Sequence, residues 1–394
     1  MNLCFFSHSS SLGGGERSLL YLIKSLNKYP DIKMLIILPS RGKLCDKLDI
    51  EKINYIIYPY KWWTVERGGK RISSSFLLDE YLTTAKRLSR VIYDYHPNLI
   101  ITNTSVICIG ALVANILKVP HIWYIRELGE KDHGFIFKFG FAHTARFINS
   151  NSVKVIFNSN ATKKEFTKYI SAKKSIVVYN SISIDKDDYY KQIPFRFKFK
   201  NSFKLLIAGT VSQKKGQVDA IKAVSYLLAH GVNVELLIIG TCTDDLLRLK
   251  INDLVKKSKR SNHFQIMQNV DNPYPLFRQC NAVLVCSKNE AFGRTIIEGM
   301  LAKKPIIATN SGGVPEIINN HVNGLLYVPG NYKQLAHQIK SLTTNTRLQK
   351  DLSINGYQTA ITKFSNIKYS QKLANIFRST IHKPSLGDAF LLSK

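Results

Sequence analysis

The stretch S-K-N-E-A-F-G-R-T-I-I-E, Ser287–Glu298, follows directly on the apolar run A-V-L-V-C, Ala282–Cys286. The run has the length and β-branched content of a buried strand. Beyond it the pattern turns helical, with Ile296, Ile297, Met300 and Leu301 spaced to share one apolar face. Glu290 is therefore expected at the C-terminal mouth of a strand, with Glu298 about two helical turns further on. In open α/β sheets that mouth is where ligands bind. Gly293 carries no side chain, so the backbone amides of Ala291, Phe292 and Gly293 can approach a ligand closely. Two carboxylates flanking exposed amides suit a polyhydroxylated ligand, because carboxylates accept hydroxyl hydrogens and amides meet an anion. The plain alternative is a solvated acidic loop followed by a surface glutamate.

Outward from this stretch, strands and helices alternate. Strands are predicted at Leu205–Ala208, Val234–Ile239, Phe264–Met267, Pro305–Ala308 and Gly324–Tyr327. Helices are predicted at Gln217–His230, Asp244–Lys257, Arg294–Ala302, Lys333–Leu342 and Arg347–Thr362. The first half repeats the rhythm, with strands at Leu3–Ser7, Met34–Leu38, Tyr55–Tyr58, Leu99–Thr102, His121–Ile125, Val153–Phe157 and Ile176–Val178. Asp79–Tyr95 is its clearest helix. Such alternation argues for parallel, doubly wound sheets. The pattern breaks after Asn180, and the charged, aromatic segment Asp185–Lys204 reads as an interdomain connection. We expect an N-terminal Rossmann-like domain over 1–184, a second over 203–365, and a helix over 366–384 that packs back on the first domain.

At 394 residues the chain exceeds one ordinary core, and two domains of roughly 150–200 residues are expected. With 45% apolar and 21% charged residues it is globular. The net charge of +29 is spread over both halves and favours anionic partners: nucleic acid, phospholipid surfaces or phosphorylated small molecules. The six cysteines are scattered without a C-x-x-C pair, which indicates neither a zinc site nor a disulfide framework. Buried free thiols in a reducing cytosol fit better. The N-terminus lacks the charged start and apolar core of a signal peptide. Val106–Val119, the most apolar longer stretch, is interrupted by Asn115 and too short to span a bilayer. A cytoplasmic protein, free or peripheral on the inner face of the cell membrane, is expected.

Four loops in the second half carry a recognisable order: G-T-V-S-Q-K-K-G from Gly209, E-A-F-G-R-T-I-I-E from Glu290, N-S-G-G-V-P-E over Asn310–Glu316, and V-N-G-L-L-Y-V-P-G over Val322–Gly330. With G-G-G-E-R near the start, the chain resembles family 4 of the retaining, GT-B-fold glycosyltransferases over nearly its whole length. The resemblance implies two Rossmann-like domains facing a central cleft. It also implies transfer of a hexose-type sugar from a nucleotide-sugar donor to a glycan or lipid-linked acceptor in surface glycan biosynthesis, with no cofactor and no metal. By resemblance, Lys215 neutralises the diphosphate leaving group and Glu298 binds the ribose hydroxyls. Glu290, with the amides of Ala291–Gly293, holds the donor sugar. The residues themselves agree with this: Lys215 is a point charge just past a strand, and Gly216 permits the close turn. Gly13, Gly14 and Gly15 can expose amides at a helix N-terminus as an acceptor or phosphate loop, or simply make a tight turn. Gly312 and Gly313 shape the loop that opens the next helix.

Two departures stand out. Relatives often place Arg directly after Gly209, where this chain has Thr210; Arg294 either compensates or faces solvent. Relatives also carry a His near the position of Arg126, whose fixed fork suits a phosphate or carboxylate. Arg126 and His133 are the two candidates to replace that His as catalytic residues. The D-x-D at Asp185–Asp187 lies in the connection and reads as solvated charge. Trp62 and Trp63 either stack on a sugar or lipid or cover the core. The basic surface is expected to favour an anionic membrane. A phosphorylase of the same architecture would need a pyridoxal-phosphate lysine in a suitable motif and a longer chain. A nucleic-acid-binding role has no motif to support it, so no nucleic-acid partner is expected.

Overall fold

The computed structural model describes residues 1–66, 74–132, 134–182, 191, 193–268, 270 and 272–381. The chain divides into two compact units: Met1–Ser181 with the C-terminal segment from Asn366, and Ile182–Ser365.

The first unit contains strands β1 (Asn2–Ser7), β2 (Lys33–Leu38), β3 (Asn54–Ile57), β4 (Thr64–Glu66), β5 (Leu99–Asn103), β6 (His121–Ile125), β7 (Phe135–Phe137), β8 (Lys154–Phe157) and β9 (Ser175–Val177). Seven form one sheet in the order β3-β2-β1-β5-β6-β8-β9, with every neighbouring pair parallel. Parallel strands need covered faces, and their side chains are buried on both sides. Along β1, Cys4 and Phe6 enter one core with Trp63, Trp123 and Phe157, while Leu3 and Phe5 enter another with Leu19, Ile23 and Leu48. That alternation explains why β1 reads as an unbroken apolar run.

The short strands β4 and β7 pair antiparallel outside this sheet and are not among the strands expected above. At three residues each they are too short for periodicity to register. The helix expected at Asp79–Tyr95 runs from Ser74 to Ile92 and passes into a 3-10 turn at Tyr93–Tyr95. The apolar stretch around Val113 forms the helix Ile109–Leu117, whose residues through Ala114 are buried.

The C-terminal helix Asn366–Ile381 packs on this unit through Tyr369, Leu373, Ala374 and Phe377, spaced four, one and three residues apart along one face. Phe377 meets Phe5 edge-on at 6.2 Å, and the Tyr369 and Tyr124 hydroxyls are 3.1 Å apart. Arg378 pairs with Asp31 at 2.9 Å.

The second unit holds β10 (Phe203–Ala208), β11 (Val234–Ile239), β12 (Phe264–Met267), β13 (Ala282–Val285), β14 (Ile306–Thr309) and β15 (Leu325–Tyr327). They form an all-parallel sheet in the order β12-β11-β10-β13-β14-β15. Leu205, Ile207, Leu236, Ile238 and Leu284 project to one face, beneath helices Gln217–Ala229 and Tyr332–Thr344. Both units are Rossmann-like α/β domains, as the alternating pattern requires. All six cysteines are free thiols, and all but Cys242 are buried. No helix among the described residues is long and apolar enough to cross a membrane.

His121 begins β6 and is fully enclosed by the first unit. Its Nδ1 donates to the Asn151 carbonyl at 2.8 Å, and its Nε2 therefore accepts from the Thr102 hydroxyl, also at 2.8 Å. Burial pulls the imidazole down from 6.5 to about 3. Below pH 6.5 the unfolded chain takes up a proton that the folded chain refuses. The contribution of His121 is thus complete above pH 6.5 and declines from there towards pH 3, by up to about 1.4 kcal/mol per pH unit. Urea unfolding at pH 7.5 and 5.5 should show a smaller acid loss for His121→Gln than for the wild type; equal losses would contradict this.

Candidate functional site

The second sheet reverses its winding between β10 and β13, where successive strands depart in opposite directions. In open α/β sheets such a switch point, at the carboxyl ends of the strands, is where ligands bind. The loop after β10 carries Gly209, Thr210 and Lys215; the loop after β13 carries Glu290–Gly293. The two loops are joined by backbone and side chain. Lys288 N–H donates to the Lys214 carbonyl at 2.8 Å, and Lys215 Nζ reaches Glu290 Oε2 at 2.8 Å. Side-chain exposure is 31% for Lys215 and 15% for Glu290, so the pair remains open to a ligand.

The loop after β10 is held from below by Gln217, a buried residue the sequence reading passed over. Its Nε2 donates to the Thr210 carbonyl at 3.1 Å, and its Oε1 accepts from Ser212 N–H at 3.4 Å. A polar first residue of a helix, directly after a glycine, was the available signal. Thr210 itself is exposed. Gly216 caps helix Gln217–Ala229 with φ +72°, and Gly293 caps helix Arg294–Leu301 with φ +100°. Neither cap supplies a side-chain hydrogen bond to the first amides of its helix.

The loop after β14 closes on the Glu290 loop. Gly313 N–H donates to the Glu290 carbonyl at 2.7 Å, and Thr309 Oγ1 donates to the Ser287 carbonyl at 2.6 Å. A Cβ on Gly313 would lie 2.6 Å from the Ala291 oxygen, which gives that glycine a packing role. Arg294 does not face solvent. Its Nη2 meets Glu298 Oε1 at 3.1 Å, with the two side chains 13% and 12% exposed. Beneath the site, burial pushes the Cys286 thiol up to about 12, which leaves it protonated and unreactive.

The first unit has its own switch point between β1 and β5. Gly13 precedes helix Gly14–Leu26, which contains Gly14 and Gly15. Beside this loop His8 Nε2 meets the buried Glu16 at 3.1 Å, and Trp62 donates from Nε1 to the His8 carbonyl at 2.7 Å. Neither His8 nor Glu16 was singled out from the sequence; a His one residue past an apolar strand was the cue. Trp63 is core, stacked on Trp123 at 5.6 Å. Arg126 leaves β6 into a buried polar network with Asn103 and Asn180. Its neighbour Glu127 accepts from the Ser105 amide and hydroxyl, both at 3.0 Å. His133 and Asp185–Asp187 lie outside the described residues. The structure thus brings Lys215 and Glu290 onto adjoining loops and Arg294 and Glu298 onto the helix that follows, all in one unit, and places Arg126 and Gly13–Gly15 in the other.

Residues 12–186 match the Glycosyltransferase Family 4 family, and residues 190–359 match Glycosyl transferases group 1. An uncharacterized glycosyltransferase of Methanocaldococcus jannaschii is 30% identical over 63% of this chain and 66% of its own length. The capsular polysaccharide biosynthesis glycosyltransferase CapM of Staphylococcus aureus is 24% identical over 48% of each chain. The match thus spans less than two thirds of either relative. HepE of Anabaena, crystallised with UDP and glucose, superposes with a TM-score of 0.78 at 21% identity, covering 96% of this chain and 100% of that one. A glycosyltransferase from Rickettsia africae gives 0.79 at 22% identity, covering 97% and 99%. These structures establish the GT-B fold.

The close approach of the two loops makes a testable demand. A Cβ on Gly216 would sit 2.0 Å from the Cys286 carbonyl oxygen, at a left-handed φ. Gly330 has a similar φ of +83° but open space around it. Gly330→Ala should cost only the backbone term, about 1–2 kcal/mol. Gly216→Ala should cost clearly more, seen as a larger fall in denaturation midpoint; equal costs would show that the loops do not meet as described.

Proposed function

We propose that this chain, built from the two glycosyltransferase domains matched above, is a retaining glycosyltransferase. It moves a hexose-type sugar from a nucleotide-sugar to a glycan or lipid-linked acceptor in surface glycan biosynthesis. The observation that carries the reading is the Lys215–Glu290 pair, which spans the switch point of the second sheet at 2.8 Å between two helix N-termini. A diphosphate at that switch point would find one cation and the amides of two helix N-termini. Lys215 and those amides would take up the charge that develops on the departing diphosphate, fixed in place before the reaction. Glu298, one turn along the helix and steadied by Arg294, is assigned to the ribose hydroxyls. Glu290 and the amides of Ala291–Gly293 are assigned to the sugar. The donor phosphate would accept the acceptor's proton, so this scheme asks for no protein base and no metal. HepE, bound to UDP and glucose, supports a uridine nucleotide as the first probe.

The assignments separate experimentally. Glu298→Gln should weaken UDP binding about tenfold, read by calorimetry, while circular dichroism shows an intact fold. Glu290→Ala should leave UDP affinity within about threefold yet cut UDP release from UDP-hexoses at least 100-fold. Lys215→Ala should lower both. Normal turnover in Glu290→Ala and Lys215→Ala would sink the assignment.

The net charge of +29 supports a peripheral place on an anionic membrane. In the first unit, exposed Lys86, Arg90 and Tyr93 border a groove with Ile116 and Leu117. Cosedimentation with phosphatidylglycerol vesicles should be strong at low salt, weak at high salt and absent with neutral vesicles. Equal recovery with both vesicle types would remove the membrane from the proposal.

A further inference from the structure

The first unit holds a buried cation, Arg126, with no ion-pair partner among the described residues. Arg126 follows directly on β6, and only 6% of it is exposed. Its Nε donates to Asn103 Oδ1 at 2.6 Å and its Nη1 to Asn180 Oδ1 at 2.5 Å. The guanidinium lies 3.8 Å from the centroid of the Tyr124 ring. Among the described residues no carboxylate forms an ion pair with it. The adjacent Glu127 turns Oε2 to the Ser105 amide and hydroxyl and to the Arg126 backbone amide, at 3.2 Å.

Two donors in this network have no partner among the described residues: Arg126 Nη2 and Asn103 Nδ2. Asn103 is itself only 1% exposed. Both side chains are held by the same short hydrogen bond, so their unspent N–H groups belong to one cluster. Leaving a buried donor unpaired costs about 1–3 kcal/mol, and a buried charge without a counter-charge costs more. Their position is that of a ligand site. Asn103 ends β5, the strand beside the switch point of the first sheet, and Arg126 follows its neighbour β6.

The chemistry of the cluster narrows the occupant. Only donors are left over, and they carry a full positive charge, so a metal cation is excluded. A neutral hydroxyl would satisfy one donor and leave the charge unmet. An oxygen acid presents several acceptor atoms with negative charge, which matches a guanidinium and an amide N–H together.

We infer that Arg126 and Asn103 form a binding site for an anionic oxygen-acid group, a phosphate or a carboxylate, at the mouth of the first unit. The inference stands on the first unit's own geometry and is independent of the donor assignments in the second.

Asn103→Asp tests it, because the new carboxylate would supply Arg126 with a counter-charge in place of the ligand while keeping the side-chain shape. Thermal unfolding of the full chain is followed against inorganic phosphate and against sodium acetate, with sodium chloride at matched ionic strength as reference. The wild type should gain about 2–4 °C from whichever anion fits. A response to phosphate marks a phosphate site, and a response to acetate a carboxylate site. Asn103→Asp should melt higher than the wild type without anion, and its apparent affinity for that anion should fall at least tenfold. Arg126→Met should lose the response, and Lys215→Ala should keep it. The inference is overturned if the wild type responds to neither anion beyond chloride, if Asn103→Asp responds as the wild type does, or if only Lys215→Ala abolishes the response. UDP protection is read in the same samples; its retention in Asn103→Asp keeps this result separate from the nucleotide assignment.

Discussion

The approach of Gly216 to the Cys286 carbonyl is the constraint on which the second unit's site rests. Parallel strands bring their carboxyl ends to one edge of a sheet, but they do not by themselves bring the following loops into contact. Here the chain leaving β10 turns through a left-handed residue directly against the chain leaving β13. Any side chain at that point would push the loops apart and lengthen the distance from Lys215 to Glu290. The backbone bond from Lys288 to Lys214 and the clasp of Gln217 on Thr210 then fix both loops. The geometry of the ion pair is thus a consequence of backbone packing rather than of the charges themselves.

Much of this is legible in the amino-acid sequence. A fully buried parallel strand writes itself as a continuous apolar run, so the strands of both main sheets were legible, as was the alternation that makes them Rossmann-like. Glu290 and Glu298 were legible because one lies just past a strand and the other on a helix, positions that spacing alone defines. What spacing cannot give is a partner. That Lys215 meets Glu290, and Arg294 meets Glu298, depends on loops distant in sequence, and the sequence left Arg294 open between a phosphate and solvent. The strands β4 and β7 escaped for a simpler reason: three residues do not establish a period. Trp62 and Trp63 look alike in sequence, yet one stacks in the core and the other lies against His8, because neighbouring side chains diverge in direction.

The first unit shows where a family resemblance stops informing. The resemblance pointed to a missing histidine and offered Arg126 or His133 in its place. It could not indicate that Arg126 would be buried, held by two asparagine oxygens and a tyrosine face. Asn103 and Asn180 are unremarkable in sequence; they matter because β5 and the turn after β9 deliver them to the same guanidinium. The His8–Glu16 pair is legible only in retrospect, since the seven intervening positions include a glycine loop whose path no periodicity describes.

The two switch points manage charge in opposite ways, and the difference bears on how each could meet a ligand. In the second unit both basic side chains already have carboxylate partners, and Lys215 and Glu290 remain partly open. On the proposed reading an incoming diphosphate would take the place of Glu290 on Lys215. On the proposed reading that exchange does two things at once: it gives Lys215 a stronger anionic partner and frees Glu290 to accept sugar hydroxyls. The first unit offers no such exchange. Arg126 is nine-tenths buried and has only neutral acceptors among the described residues, so an anion there would gain the full interaction without first breaking an ion pair. On these two proposals the second unit would trade partners during a cycle, and the first would hold whatever acid group its cation admits.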